Sequence, residues 1–319
     1  MAFPEHGAID EAETVMISKK AQEVTPFIVM DVMARAQELE KAGENVVHLE
    51  VGEPDFETPE AIRNAAIEAI RSGKTHYTHA MGLMELRQAI CEHYWVEYGV
   101  RVIPEQVLVT SGTSPAFLFM MLAILEPGDE VILSNPHYAC YPNFIRTVGG
   151  EPILVRTHPE DGFQYRPEAI KGALTPRTRG IVINSPCNPT GIVMTDKNLR
   201  DIAQFGDQYI ISDEIYHGLV YRGRARSILE FTDKAFVING FSKLFAMTGW
   251  RLGYVIFPKE FATVMQRIHQ NFAISANSFV QWACVSAFRD TKDDIERMRR
   301  VYDERRVYMI DRLKQIGLK

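Results

Sequence analysis

"GIVINSPCNPTG", residues 180–191, is a run of β-branched residues that ends abruptly in a turn built from two prolines, two asparagines and a glycine. An apolar run this short, closed by turn residues, reads as a strand buried on both faces. Five more runs have the same form: "NVVHLEVG" (45–52), "QVLVTSG" (106–112), "EVILSNP" (130–136), "YIISDE" (209–214) and "AFVINGF" (235–241). Between them lie helical segments, among them "MELRQAICEHYWVEYG" (84–99) and "SPAFLFMMLAILEPG" (114–128), read as crossovers. The fold class is therefore α/β with a largely parallel central sheet. Upstream, "TPFIVMDVMARAQELEKAG" (25–43) predicts a helix with Thr25 as N-cap, Pro26 at its first position and Gly43 at its end.

Composition narrows the function classes. The chain has 319 residues, 46% of them hydrophobic and 24% charged, enough to bury the core of a large soluble domain with a smaller one. Its net charge of -6, with no basic run interleaved with aromatics, argues against nucleic-acid binding. The N-terminal "MAFPEHGAID" lacks an apolar signal core, and "AFLFMMLAIL" (116–125) is too short to span a bilayer and reads as a buried helix. No membrane association is expected. Cys91, Cys140, Cys187 and Cys284 form no CxxC pair, so neither disulfides nor zinc are expected, and a reducing cytoplasm fits. His76 and His79 in "KTHYTHAMG" lack supporting carboxylates, and no metal site is expected there.

The residues that succeed each strand are more telling than the strands themselves. "VLVT" gives way to "SGTSPA", "VILS" to "NPHYACYP", "IVIN" to "SPCNPTG", "YIIS" to "DEIY" and "AFVIN" to "GFSK". Ligands of open α/β sheets bind at the carboxyl ends of strands, so five polar clusters on that edge describe one site. "SGTSPA" opens a helix, where free N–H groups favour a phosphate, and Pro115 there costs no hydrogen bond. Neither GxGxxG nor GxxxxGK[ST] occurs, which disfavours nicotinamide and P-loop nucleotides. Asp213 follows an apolar run, and a carboxylate buried there calls for a cation, such as a protonated ring nitrogen. Lys243 sits among aromatic and apolar residues in "GFSKLFAMTGWRLGYVIF" (240–257), where lost hydration lowers its pKa and frees the amine for Schiff-base chemistry.

In this order "SPCNPTG", "SDEIY" and "SKLFAMTGWRLGY" resemble the class I/II aminotransferases, fold type I enzymes that use pyridoxal 5'-phosphate; "HLEVGEPDFETP", "YTHAMGLMELRQAI" and "EPGDEVILSNPHYACYP" match too. The resemblance runs from about residue 24 to the end and points to the branch of broad-specificity aspartate, alanine and aromatic aminotransferases. It implies that Lys243 forms the Schiff base and carries the proton between substrate and cofactor, and that Asp213 pairs with the pyridinium nitrogen. Asn188 and Tyr216 would hydrogen-bond the phenolic oxygen, and Tyr138 would stack on the ring. Gly112, Thr113, Ser114, Ser242 and Arg251 would cradle the phosphate, with Tyr77 reaching the phosphate of the neighbouring subunit of a homodimer. Gly52 would lie against the substrate carboxylate, with Asn188 beside it.

The same resemblance implies an arm and part of a small domain over residues 1–50, a large cofactor-binding domain over 51–288, and the start of the C-terminal small domain over 289–319. The chain departs from the pattern twice. Between "NPTG" and "SDEIY" it is about three residues short, near one helical turn. It also stops at "DRLKQIGLK" (311–319), before the arginine with which the family clamps the substrate α-carboxylate. Arg289, Arg299 and Arg300 read as solvated helix faces and do not replace it, so the sequence is expected to be a piece of a longer one, a natural truncation being the alternative. Amino-group transfer between an amino acid and a 2-oxo acid is the leading expectation. A lyase or synthase of the same fold, or a non-catalytic cofactor-binding fragment, would share most of these residues.

Overall fold

The computed structural model describes residues 17–318, so the first sixteen residues of the expected 1–50 arm lie outside it. Its sheet has seven strands: β1 (Val107–Thr110), β2 (Glu130–Asn135), β3 (Glu151–Arg156), β4 (Thr178–Asn184), β5 (Tyr209–Asp213), β6 (Ala235–Gly240) and β7 (Gly253–Ile256). They lie in the order β1-β7-β6-β5-β4-β2-β3. Neighbours from β6 to β3 pair in parallel, whereas β7 is antiparallel to both β6 and β1. Strand β1 therefore points the same way as β2 to β6, and six carboxyl ends share one edge.

The helices are α1 (Lys19–Gln22), α2 (Ile28–Lys41), α3 (Glu60–Arg71), α4 (Met84–Tyr98), α5 (Thr113–Ile124) and α6 (Tyr141–Thr147), then α7 (Pro167–Ala173), α8 (Asp196–Ile202), α9 (Ala262–Phe272), α10 (Ser278–Asp290) and α11 (Lys292–Gln315). Alternation along the strands feeds two cores. Val107 and Val109 of β1, Ile181 and Ile183 of β4 and Val237 of β6 face α3, α4 and α10. Leu108, Val182, Phe236 and Ile238 face α5, α6 and α9. Both faces are covered, which is why the strands read as continuous apolar runs. Ala116, Phe117, Phe119, Met120 and Met121 bury one face of α5, as "AFLFMMLAIL" suggests, while Leu122 on the other is exposed.

Some expectations are corrected. "NVVHLEVG" (45–52) forms no strand: Val47 and Leu49 are 77% and 83% exposed, and an apolar run without a neighbouring strand has nothing to pair with. Consequently α4 precedes the first strand and is no crossover. The helix expected from Thr25 begins at Ile28, because the Thr25 backbone N–H and hydroxyl both bond the Asn143 side chain instead of capping. Two strands went unread. In β3, Pro152 disguises a strand that tolerates it at the sheet edge, and β7 hides inside "RLGYVIF" behind a glycine.

That glycine has a packing reason. Gly253 pairs with Gly240 on one side and Thr110 on the other. A Cβ on Gly253 would lie 2.9 Å from the Gly112 carbonyl carbon and 3.0 Å from the Thr113 nitrogen. A Cβ on Gly240 would lie 3.0 Å from the Gly253 Cα. Backbone meets backbone here, and the amino end of α5 is pressed onto β6 and β7. Gly253→Ala should therefore lower stability by about 1–3 kcal/mol, the usual cost of overpacking. Urea unfolding beside Gly249→Ala, whose added Cβ meets nothing within 4 Å, checks this; equal midpoints would refute the close-approach account.

Candidate active site

Asp213 ends β5 in the middle of the sheet and is 9% exposed. Its carboxylate accepts from the Tyr141 hydroxyl at 2.7 Å and from the Ile215 N–H at 3.1 Å. Among the described residues its partners are neutral. Burial therefore wins over these two bonds and pushes its pKa up to about 6. Beside it, the 185–191 turn leaves β4 with Asn184 Nδ2 donating to the Asp213 carbonyl at 3.0 Å. Asn184 Oδ1 accepts from the Asn188 N–H at 2.6 Å, and Asn188 Nδ2 lies 3.5 Å from the Tyr216 hydroxyl. Burial and the charge of Asp213 both raise the Tyr216 pKa. Tyr138 packs edge-on against Tyr141, ring centroids 5.3 Å apart.

Lys243 follows β6 on a loop that ends at Arg251. It is half-buried, and its Nζ donates to the Gly52 carbonyl at 2.8 Å. Desolvation lowers its pKa, with Glu53 acting against the shift and Arg251 with it. Two non-glycine residues of this loop, Ala246 (φ 50°) and Arg251 (φ 54°), hold left-handed backbone, which costs on the order of 1–3 kcal/mol each and persists only where the surroundings enforce it. Thr58 supplies part of that enforcement: its hydroxyl donates to the Ala246 carbonyl at 2.6 Å and accepts from the Trp250 indole at 3.0 Å.

Arg251 reaches back to the amino end of α5. A Cβ on Gly112 (φ 95°) would sit 2.6 Å from Arg251 Nη2, so glycine leaves the room the guanidinium uses. Thr113 and Ser114 are the first two residues of α5, where N–H groups have no partner within the helix. Pro115 is third, still in that first turn. Ser242 is next to Lys243 on the same loop. The amino end of α5 and the Arg251 guanidinium thus lie together, an arrangement suited to an anion such as a phosphate.

A family model described as aminotransferase class I and II matches residues 44–319. The chain belongs to that family. Its relatives include the (5-formylfuran-3-yl)methyl phosphate transaminase of Methanocaldococcus jannaschii, 42% identical over 306 residues that cover 95% of this chain and 80% of the relative. The aspartate/prephenate aminotransferase of Thermus thermophilus is 39% identical over 310 residues, with 95% and 80% coverage. The solved structure of the Thermus thermophilus aspartate aminotransferase with maleate superposes with a TM-score of 0.93 at 39% identity, covering 95% of this chain and 81% of that one. The chain is therefore an aminotransferase, and amino-group transfer is its reaction.

In this aminotransferase Asp213, Asn188 and Tyr216 are linked through Asn184, Lys243 bonds the Gly52 carbonyl, and Arg251 lies against Gly112. Tyr138 joins the first group through Tyr141. Tyr77 stands apart, 80% exposed on the loop before α4. A Cβ on Gly52 would meet nothing within 4 Å, so on this chain alone its part is played by its carbonyl. Arg289 and Arg300 are exposed as expected, but Arg299 is half-buried and donates to the Val220 carbonyl. His79 Nδ1 is taken by the Met81 N–H. Sequence reading missed Tyr141, though "YACYP" puts it one helical turn after Tyr138, and Thr58, for which no local signal exists.

Asp213 carries a consequence for stability. Its pKa of about 6 exceeds the usual 3.8, so the native state holds the proton more tightly than the unfolded chain. Stability from this group is therefore present at low pH and lost as pH rises through about 6, a difference of about 3 kcal/mol. Without cofactor, Asp213→Asn should be more stable than the wild type at neutral pH by up to that amount, the gap closing below the carboxylate range. Urea melts across pH test this; a destabilised Asn variant at neutral pH would contradict it.

Proposed function

We propose that this aminotransferase works with pyridoxal 5'-phosphate bound at the strand-end site, with Lys243 as the residue that joins it covalently. The observation that carries this is the buried Asp213 carboxylate, which has no cationic partner among the described residues, at the end of the strand next to the one that leads to Lys243, a lysine whose charge is disfavoured by burial. A protonated ring nitrogen is the cation that such a carboxylate suits. Gly112, Thr113, Ser114, Ser242 and Arg251 would hold the phosphate, Asn188 and Tyr216 the phenolic oxygen, and Tyr138 one face of the ring. When bound, the cofactor supplies a carbonyl for the amine and a conjugated ring that accepts electrons.

The chain's own residues do the rest. Asp213 keeps a positive charge on the ring nitrogen by remaining ionised once a cation is beside it. Lys243 Nζ, once free, would accept the proton from the substrate Cα and return it where the amino group is carried away. The Gly52 carbonyl, 2.8 Å from Nζ, holds the amine close to the site. The substrates are an amino acid donor and a 2-oxo acid acceptor. Return of that proton by Lys243, rather than elimination from the substrate side chain, would separate this from lyase chemistry.

Assembly as a homodimer with shared sites belongs to the same proposal: Tyr77, exposed on its loop, would reach the phosphate held by the other copy. The division into an arm over 1–50, a cofactor-binding domain over 51–288 and a C-terminal part over 289–319 is proposed with it. So is a cytoplasmic setting, supported by four free cysteines.

Replacing Lys243 by Ala should leave cofactor binding through the phosphate cradle intact but cut amino transfer at least about 1,000-fold, some 4 kcal/mol of barrier. Stopped-flow absorbance with an amino acid donor measures the half-reaction, and a Lys243→Ala chain of near-normal rate would defeat the assignment. For the shared site, Tyr77→Phe mixed with Lys243→Ala should give more activity than the two parents summed, since one site of each hybrid is intact. Strictly additive activity, or an active monomer in sedimentation, would rule the shared site out.

A further inference from the structure

Behind the Asp213–Tyr216 turn lies a buried polar cluster that amino transfer, as described, leaves unused. His217 is 4% exposed and links segments far apart in sequence. Its Nε2 lies 2.9 Å from the Ser185 carbonyl oxygen, and its Nδ1 lies 2.8 Å from the Tyr98 hydroxyl on α4. A carbonyl only accepts, so Nε2 carries the hydrogen, and Nδ1 accepts from Tyr98. One neutral tautomer satisfies both partners. Burial keeps the ring uncharged, lowering its pKa to about 4.

The Glu214 carboxylate is 3.5 Å from His217 Nδ1, the spacing of a loose ion pair. Burial drives both groups toward their uncharged forms, raising Glu214 to about 7. The Glu214 oxygens are instead taken by the Ser212 and Ser227 hydroxyls, the Ile228 N–H and the Tyr94 hydroxyl. Glu214 therefore braces the cluster against β5 and α4 and leaves Nδ1 to Tyr98.

Ser185 is the point where the 185–191 turn leaves β4. His217 holds its carbonyl, and its hydroxyl accepts from the Met194 N–H at 3.0 Å, at the far end of the turn. Three residues on, Asn188 Nδ2 stands 3.5 Å from the Tyr216 hydroxyl, the outer limit of a hydrogen bond. A few tenths of an ångström in the turn decide whether these two groups address the same point. Tyr216 precedes His217 in the chain, so one imidazole is tied to both halves of the pair.

We propose that His217 is a positioning residue for amino transfer: its Nε2–H bond to the Ser185 carbonyl holds the Asn188 turn against Tyr216, and Tyr98 selects the tautomer that makes the bond. This rests on the assignment of Asn188 and Tyr216 to the cofactor's phenolic oxygen. The test compares wild type with His217→Gln, whose amide N–H takes the place of Nε2–H, His217→Phe, which has no donor, and Tyr98→Phe. Hydrogen exchange on cofactor-free protein should show residues 185–191 opening about tenfold faster in His217→Phe, with β4 and α4 unchanged and the Gln variant close to wild type. In cofactor-loaded protein the visible band should titrate at higher pH in His217→Phe, because a displaced Asn188 no longer stabilises the phenolate. Tyr98→Phe should fall between.

Three results would overturn the proposal. One is an Nδ1–H tautomer in imidazole ¹⁵N spectra. Another is exchange that rises equally throughout the protein and is not rescued by Gln, which marks general destabilisation. The third is a His217→Phe chain that matches wild type in both exchange and titration. If wild-type protein given pyridoxal phosphate develops no titrating visible band, the cofactor assignment has failed, and the exchange data on cofactor-free protein still decide whether His217 holds the turn.

Discussion

A carboxylate that meets no cation among the described residues is the constraint on which this site depends. Asp213 lies at the carboxyl end of β5, with strands on both sides and helices over both faces. Two neutral donors, Tyr141 and Ile215, orient it without fully compensating its desolvation. Stability alone would favour an apolar or amide side chain there. Burial acts on Lys243 in the opposite electrical sense, disfavouring its charge. Burial shifts both groups toward their uncharged forms, the carboxylate upward in pKa and the amine downward.

Electrostatics of this kind requires a rigid frame, and close backbone packing provides it. Gly240 on β6, Gly253 on β7 and Gly112 before α5 approach so nearly that a Cβ on Gly253 would meet the backbone of Gly112 and Thr113. That contact aims the first turn of α5 at the place where Arg251 arrives from the other side. The loop between Lys243 and Arg251 has two left-handed non-glycine residues and is fastened by Thr58 from a distant segment. The positions of Lys243 and Arg251 are thus set by the sheet and by α5, while the loop between them holds left-handed backbone.

Much of this could be read from the sequence, for a definite physical reason. A parallel sheet buried on both faces writes itself as apolar runs, and an active edge writes itself as the polar residues that end them; "SPCNPTG", "SDEIY" and "GFSK" carry both signals. β7 escaped because an antiparallel strand beginning at glycine and following Arg251 lacks that form. "NVVHLEVG" misled in the opposite direction, since apolar content alone does not provide a pairing neighbour. Thr58, Tyr141 and His217 act through hydrogen bonds to residues far along the chain, and such contacts leave no local pattern. Gly253 is visible as a glycine, yet its reason appears only when α5 is laid against it.

The most direct test of the account is the site of covalent attachment. Protein saturated with pyridoxal 5'-phosphate is reduced with borohydride, digested and mapped by mass spectrometry. One pyridoxyl group per chain, on the peptide containing Lys243, is the predicted result. Attachment to a different lysine, or label scattered over surface lysines with Lys243 unmodified, would contradict it.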